Sequence, residues 1–210
     1  MSSKKNKPKH GFKHAPRISG ADLLKQAEEQ LRRGQTEQAI ESLRQAEHDL
    51  KPRTTPDGKK ITMPPHLIVA QSELPGLMAR AQAAHSLTLT NPQQKLAALE
   101  DAVKRAPNET RYLVALGACR LSQGNAPAAF ADFQKADELS PGDKLATRAF
   151  AVGLLANERA HEAADLLKQN SAESRDENNR RLAAISDWLA GNEIQVGSTT
   201  SQSLLTFFAR

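Results

Sequence analysis

A fixed spacing of 34 residues runs through the middle of this 210-residue chain, and it limits the fold more than any other feature of the sequence. Phe133, Ala136 and Pro141 fall 34 residues after Leu99, Ala102 and Pro107. Ala129 and Phe133 are followed at the same interval by Ala163 and Leu167, and Gly34, Ala39, Leu43 and Ala46 reproduce the spacing near the N-terminus. A period of 20–50 residues marks a chain built from supersecondary units that bury their apolar faces only by stacking on their neighbours.

The local chemistry fits paired helices. Asn91-Pro92 and Asn125-Ala126-Pro127 each read as an N-cap followed by a proline in the first turn, where the missing N–H costs nothing. Asn108, Asp143 and Asp176 precede apolar runs of helical spacing, as caps of first helices would, and Pro107 and Pro141 stop the helices before them. The pattern predicts helix pairs at about 20–33 with 36–50, 72–89 with 92–105, 109–123 with 126–139, and 144–156 with 159–169, then a ninth helix near 177–190 that contains Trp188.

One full unit carries a recognisable signature. The run from Tyr112 through Leu116-Gly117 to Gly124, continued by Ala129, Phe133, Ala136 and Pro141, resembles the tetratricopeptide repeat. The resemblance implies an all-α, right-handed solenoid of about four helix-turn-helix units over residues 18–191, closed by a C-terminal capping helix. Two departures stand out. About 22 extra residues separate the first unit from the second, giving an insert over 51–71 with Pro52, Pro56, Pro64 and Pro65. Its Thr55-Pro56-Asp57-Gly58 turn is flanked by Lys51, Arg53, Lys59 and Lys60, which predicts a basic loop or small hairpin. The second unit also has Gln82-Ala83 in place of Leu-Gly and Thr90 in place of the turn glycine.

Charge is distributed unevenly. The net charge of +5 comes from residues 1–17, whose Lys4, Lys5, Lys7, Lys9, Lys13 and Arg17 face no acid; the remainder holds 23 bases against 24 acids. With Phe12 as its one large apolar group, this basic tail is expected to stay disordered when free. At the other end, residues 192–210 form a polar linker and a short apolar tail, Leu204 to Phe208, which either caps the stack or docks elsewhere.

Several functions find no support in the sequence. The longest apolar runs, such as Leu67-Ile68-Val69-Ala70, fall far short of the ~18 residues of a membrane span, and no apolar stretch follows the basic N-terminus to make an export signal. A single cysteine, Cys119, excludes an internal disulfide and fits a reducing, cytoplasmic setting. The six histidines are scattered, and neither phosphate-binding glycine loops nor a nucleophile elbow occurs, so no catalytic residue, metal site, cofactor or small-molecule substrate is expected.

What remains is surface. The resemblance implies that first helices line a concave groove. One stripe at i, i+3, i+4, i+7 spacing places Leu77, Arg80 and Ala84 in it, then Arg111, Val114 and Ala118, then Leu145, Arg148 and Val152, with Arg181 continuing the row. Small apolar groups punctuated by guanidinium forks suit a protein segment with apolar anchors and carboxylates. The competing reading pairs those arginines with acids of neighbouring helices, and an arginine without such a neighbour would discriminate between the two. The clamp by which some tetratricopeptide proteins hold the acidic tail of chaperones does not carry over, because Glu29 follows Lys25 and Ala115 follows Arg111 at the required spacing. The expected function is thus a non-catalytic adaptor or scaffold for a protein partner. The alternative is a nucleic-acid or ribonucleoprotein factor that uses the tail with Lys59 and Lys60; neutralising about six phosphates gives a log–log salt slope of about −4 to −5.

Overall fold

The structure is a computed structural model that describes residues 18–52, 54–174 and 177–192. The basic tail, Arg53, Asp176 and the Leu204–Phe208 segment lie outside the described residues. Within them the chain forms nine helices: α1 (Gly20–Arg32), α2 (Thr36–Asp49), α3 (Pro65–Ser86), α4 (Pro92–Arg105), α5 (Thr110–Ser122), α6 (Ala126–Leu139), α7 (Lys144–Ala156), α8 (Ala160–Ser174) and α9 (Glu177–Gly191). Each packs on the next, and α1 on α3, α5 on α7 and α7 on α9 add contacts between first helices two steps apart. The result is an all-helical solenoid.

The helix ends follow from the residues that were read as punctuation. Asn91 Oδ1 accepts from the Gln93 and Gln94 amides, Asn125 Oδ1 from Ala128, and Asp143 Oδ1 from Ala146, each satisfying amides that the first turn leaves orphaned. Asn108 does not cap α5: the cap position falls to Glu109, whose side chain makes no capping bond. At the other ends, Ala106 and Ser140 leave the helical region at φ −133° and −138°, as residues that precede a proline must.

The turns inside the first, third and fourth pairs share one geometry. Gly34 and Gly124 sit at φ +74° and +79°, and the amides that follow them reach back to Gln30 and Arg120, which closes the helix end with a left-handed residue. Glu158, 34 residues beyond Gly124, takes the same place at φ +63° with the Arg159 amide bonded to Leu154. The fourth unit therefore keeps the backbone of the repeat where its sequence lacks the glycine.

The insert is shorter than the sequence reading made it. Residues 65–71 are not loop: Pro65 opens α3 at its first position, so the helix begins two turns before the expected residue 72. Pro75 is accommodated within it. The remainder does contain the expected turn, with the Gly58 amide on the Thr55 carbonyl and an isolated antiparallel bridge between Thr54 and Lys60.

The core is laid down in two blocks, one within α1–α3 around Leu43, Leu50 and Met78, the other within α5–α9 around Phe133, Leu155, Leu167 and Leu182. A small cluster of Leu99, Leu116 and Cys119 links α4 to α5 between them. Phe133 on α6 is fully buried, and its ring lies against two glycines of the flanking first helices. A Cβ at Gly117 would stand 2.5 Å from the ring, and one at Gly153 2.9 Å. The Leu-Gly pair of the repeat thus exists to let α5 close on α6. Gly117→Ala is expected to cost about 1–3 kcal/mol through overpacking. Gly76→Ala, in a helical position with open space around it, should instead stabilise by about 0.5–1 kcal/mol. Urea midpoints of the two variants against the parent check both signs.

Candidate functional site

The first helices carry the expected stripe, but its residues meet three different fates. Arg80, on α3, and Arg111, on α5, are exposed and have no acidic partner among the described residues. Burial, with Glu109, raises the pKa of Tyr112, the half-buried phenol beside Arg111, against the opposing pull of Arg80 and Arg111. Leu77, Ala84, Ala118 and Leu145 are half-buried, each with part of its surface open.

Three other stripe residues are not available to a partner. Val114 and Val152 are buried in the α5–α9 core. Arg148 is only 7% exposed, and its Nε donates to Oδ1 of the buried Asn179 at 2.8 Å. Arg148 therefore ties α7 to α9 through the Asn179 amide, where the competing reading had named glutamate or aspartate as the partner. The physical reason is that Asn179 of α9 lies against Arg148 on α7, so residues in equivalent places 68 apart end up in opposite environments. Arg181 remains on the surface but is engaged by Glu177 of its own helix, Nε to Oε1 at 3.2 Å. Lys59 and Lys60 are exposed in the hairpin loop, whereas Lys4, Lys5, Lys7, Lys9, Lys13 and Arg17 are outside the described residues.

The arginines off the stripe are mostly partnered. Arg105 bonds Asp101 and Glu47, and Arg159 pairs with Glu162 while lying over the Phe130 ring. Arg120 reaches Asp132 at 2.9 Å and Glu100 at 3.1 Å, joining α5 to α6 and α4. Arg44 on α2 shares with Arg80 and Arg111 the lack of an acidic partner among the described residues. Two of these three unmatched guanidiniums thus sit on consecutive first helices beside the tyrosine.

A cleft of about 590 Å³ opens where α1 faces α3. Asp22, Glu28 and Glu73 line it with Lys25, over apolar surface from Val69 and Leu77. Leu77 belongs to both this cleft and the arginine-bearing stripe, so the two regions adjoin. The sequence reading missed the cleft because it placed residues 65–71 in a loop. Pro64-Pro65 followed by His66-Leu67-Ile68-Val69 was the available signal for an earlier helix start.

Among the described residues no three histidine, cysteine or carboxylate side chains converge as a metal site would require. Cys119 is buried between Leu99 and Leu116, and burial raises its thiol above the ordinary value, which disfavours the thiolate. No helix among the described residues is long and apolar enough to cross a membrane.

No protein-family model matches the sequence, and no curated protein is similar to it. Solved structures are similar in shape. A mutant form of MamA superimposes with a TM-score of 0.50 over 89% of this chain and 96% of that one, at 16% identity. A second MamA structure, "MamA MSR-1 C2", does so with a TM-score of 0.51 over 91% and 98%, also at 16% identity. This chain has a tetratricopeptide-like fold. At such low identity the likeness concerns the path of the backbone, and it extends over nearly the whole of both molecules.

Two expectations follow from the placement of the charges. Arg148→Ala leaves the Asn179 amide buried without this donor and should destabilise by about 2–4 kcal/mol, while Arg80→Ala and Arg111→Ala should change stability by no more than about 0.5 kcal/mol. Denaturant titration of the three variants tests the division between framework and surface arginines. Asp132 titrates abnormally: burial pushes its carboxyl up to about 6, against the opposing pull of Arg120. A folded-state pKa above the unfolded one means that its stabilising contribution is present in full below about pH 4 and is lost as the pH rises through 6. Relative to Asp132→Asn, the parent protein should therefore gain stability between pH 7 and pH 4.5; a constant or opposite difference in urea midpoints contradicts this.

Proposed function

We propose that the chain is a non-catalytic scaffold whose helical body, residues 18–191, holds a segment of a partner protein against the face formed by its first helices. The observation that carries the reading is the pair Arg80 and Arg111. They are exposed guanidiniums on successive first helices, without acidic partners among the described residues, in a molecule whose other arginines are mostly engaged. An unmatched guanidinium beside half-buried apolar groups is arranged to take a carboxylate bidentately while a neighbouring side chain packs.

The roles within the face follow from exposure. Arg80 and Arg111 supply charge-assisted hydrogen bonds to acidic residues of the partner. Leu77, Ala84 and Ala118 offer a shallow apolar floor, and Tyr112 adds an amphipathic ring between the two charges. Arg148 and Val152 act indirectly, by fixing α7 against α9 and the core so that the face keeps its curvature.

Affinity capture from native extract, with the intact protein, an Arg80→Glu/Arg111→Glu variant and a variant lacking residues 1–17, tests the proposal. Half of each sample is treated with nuclease. The expected result is a set of protein partners that survives nuclease and loss of the tail but falls at least about tenfold with the double charge reversal, which removes two charge-assisted contacts. Partners that vanish with nuclease or with the tail, and persist in the double variant, would overturn it in favour of nucleic-acid association.

A further inference from the structure

The cleft between α1 and α3 gathers three carboxylates, where three other clefts among the described residues hold one or two. Near the end of α2, the one lined by Ile18, Glu41, Arg44, His48 and Asp49 sets two acids against an arginine and a histidine. Between α2 and α4, Glu37 and Asp101 face Arg44 and His85. In the α1–α3 cleft Asp22, Glu28 and Glu73 face Lys25 as the only fixed positive charge, beside His66. Part of this acidity is spent locally: Asp22 accepts from the Ser19 hydroxyl and lies 3.9 Å from Lys25, and Glu28 lies 3.9 Å from Arg32. Glu73 has no cationic partner among the described residues.

Apolar surface adjoins these carboxylates. Ile68 and Val69, in the two early turns of α3, are 51% and 55% exposed, and Leu77 closes the cleft one helical stretch further on. The extra turns of α3 thus build an acidic cleft with an apolar lip, a combination suited to a basic segment that carries one large apolar side chain.

The chain itself contains such a segment. Residues 1–17 hold six bases, no acid and Phe12, and they lead directly into Ser19, which both caps α1 and lines the cleft. Connection at that rim gives the tail an effective concentration of order millimolar at the cleft, so weak charge pairing and burial of one ring suffice for occupancy. Reach is adequate, because the five residues between Phe12 and Ile18 span up to about 17 Å when extended, whereas packed helix axes lie about 8–10 Å apart.

The geometry points to an intramolecular docking site: the basic N-terminal tail, residues 1–17, occupies the cleft between α1 and α3, with its lysines toward Asp22, Glu28 and Glu73 and Phe12 against Val69 and Leu77. Leu77 is shared with the face proposed for a partner segment, so the two occupants meet at that side chain, but the assignment itself uses neither Arg80 nor Arg111 and its test reads the tail alone. It gives the basic tail a binding site on the protein's own surface.

Zero-length carbodiimide cross-linking of the full chain, which joins a lysine amine to a carboxylate in contact with it, tests the proposal. The probe is a mixture of isotopically light and heavy protein at low salt, mapped by mass spectrometry. The expected result is intramolecular links from Lys4, Lys5, Lys7, Lys9 and Lys13 to Asp22, Glu28 and Glu73, several-fold more abundant than links to Glu41 or Asp49. They should be lost near 1 M salt, where the screening length is about 3 Å. The links to Asp22 should also drop several-fold in Glu28→Lys/Glu73→Lys and in Phe12→Ala, with helical circular dichroism unchanged. Links spread evenly over surface carboxylates, concentrated on Glu41 and Asp49, or formed mainly between light and heavy chains would overturn it.

Discussion

The fully buried ring of Phe133, held between Gly117 and Gly153, is the contact around which the best-formed part of this solenoid is organised. With a phenyl ring at this place, α6 can touch the first helices on both sides only because neither presents a Cβ there. Once α5, α6 and α7 close in this way, Leu113, Ala136, Ala149 and Val152 are brought into one dry cluster, and the succeeding helices extend it through Leu167 and Leu182. Stacking of this kind propagates from neighbour to neighbour, so the exposed faces inherit their curvature from the core beneath them.

Polar groups at the seams make the same packing specific. Arg120 spans three helices through Asp132 and Glu100, Thr147 on α7 donates to Asp137 on α6, and Arg148 on α7 meets Asn179 on α9. Breaking any of these strands a buried or half-buried partner, which is costlier than losing a surface pair. The unmatched guanidiniums of Arg80 and Arg111 lie instead on the exposed surface of α3 and α5, and Glu73 lies in the cleft between α1 and α3.

Much of this was legible in the residues. Proline and asparagine punctuation placed the helix ends because caps and pre-proline geometry are local, as Asn91, Asn125 and Asp143 show. The 34-residue spacing put Phe133 and Leu99 in equivalent places on second helices, with Ala136 one turn on from Phe133, and all three are buried. The groove was harder to read, because exposure depends on which neighbour covers a face. Arg80 and Arg148 are indistinguishable by spacing, yet Arg148 is buried against Asn179 of α9 while Arg80 is exposed. The early start of α3 went unread for a related reason: proline residues suggested loop where Pro65 in fact opens a helix, and with those two turns the acidic cleft was hidden.

Selection of binding peptides from a random display library, on the intact protein and on Arg80→Glu/Arg111→Glu, addresses the central claim directly. The account predicts that the intact face enriches segments in which acidic residues flank an apolar anchor, and that the double variant loses this enrichment or turns it towards basic residues. Enrichment of the same acidic segments by both proteins, or of segments without charge preference by the intact one, would contradict it.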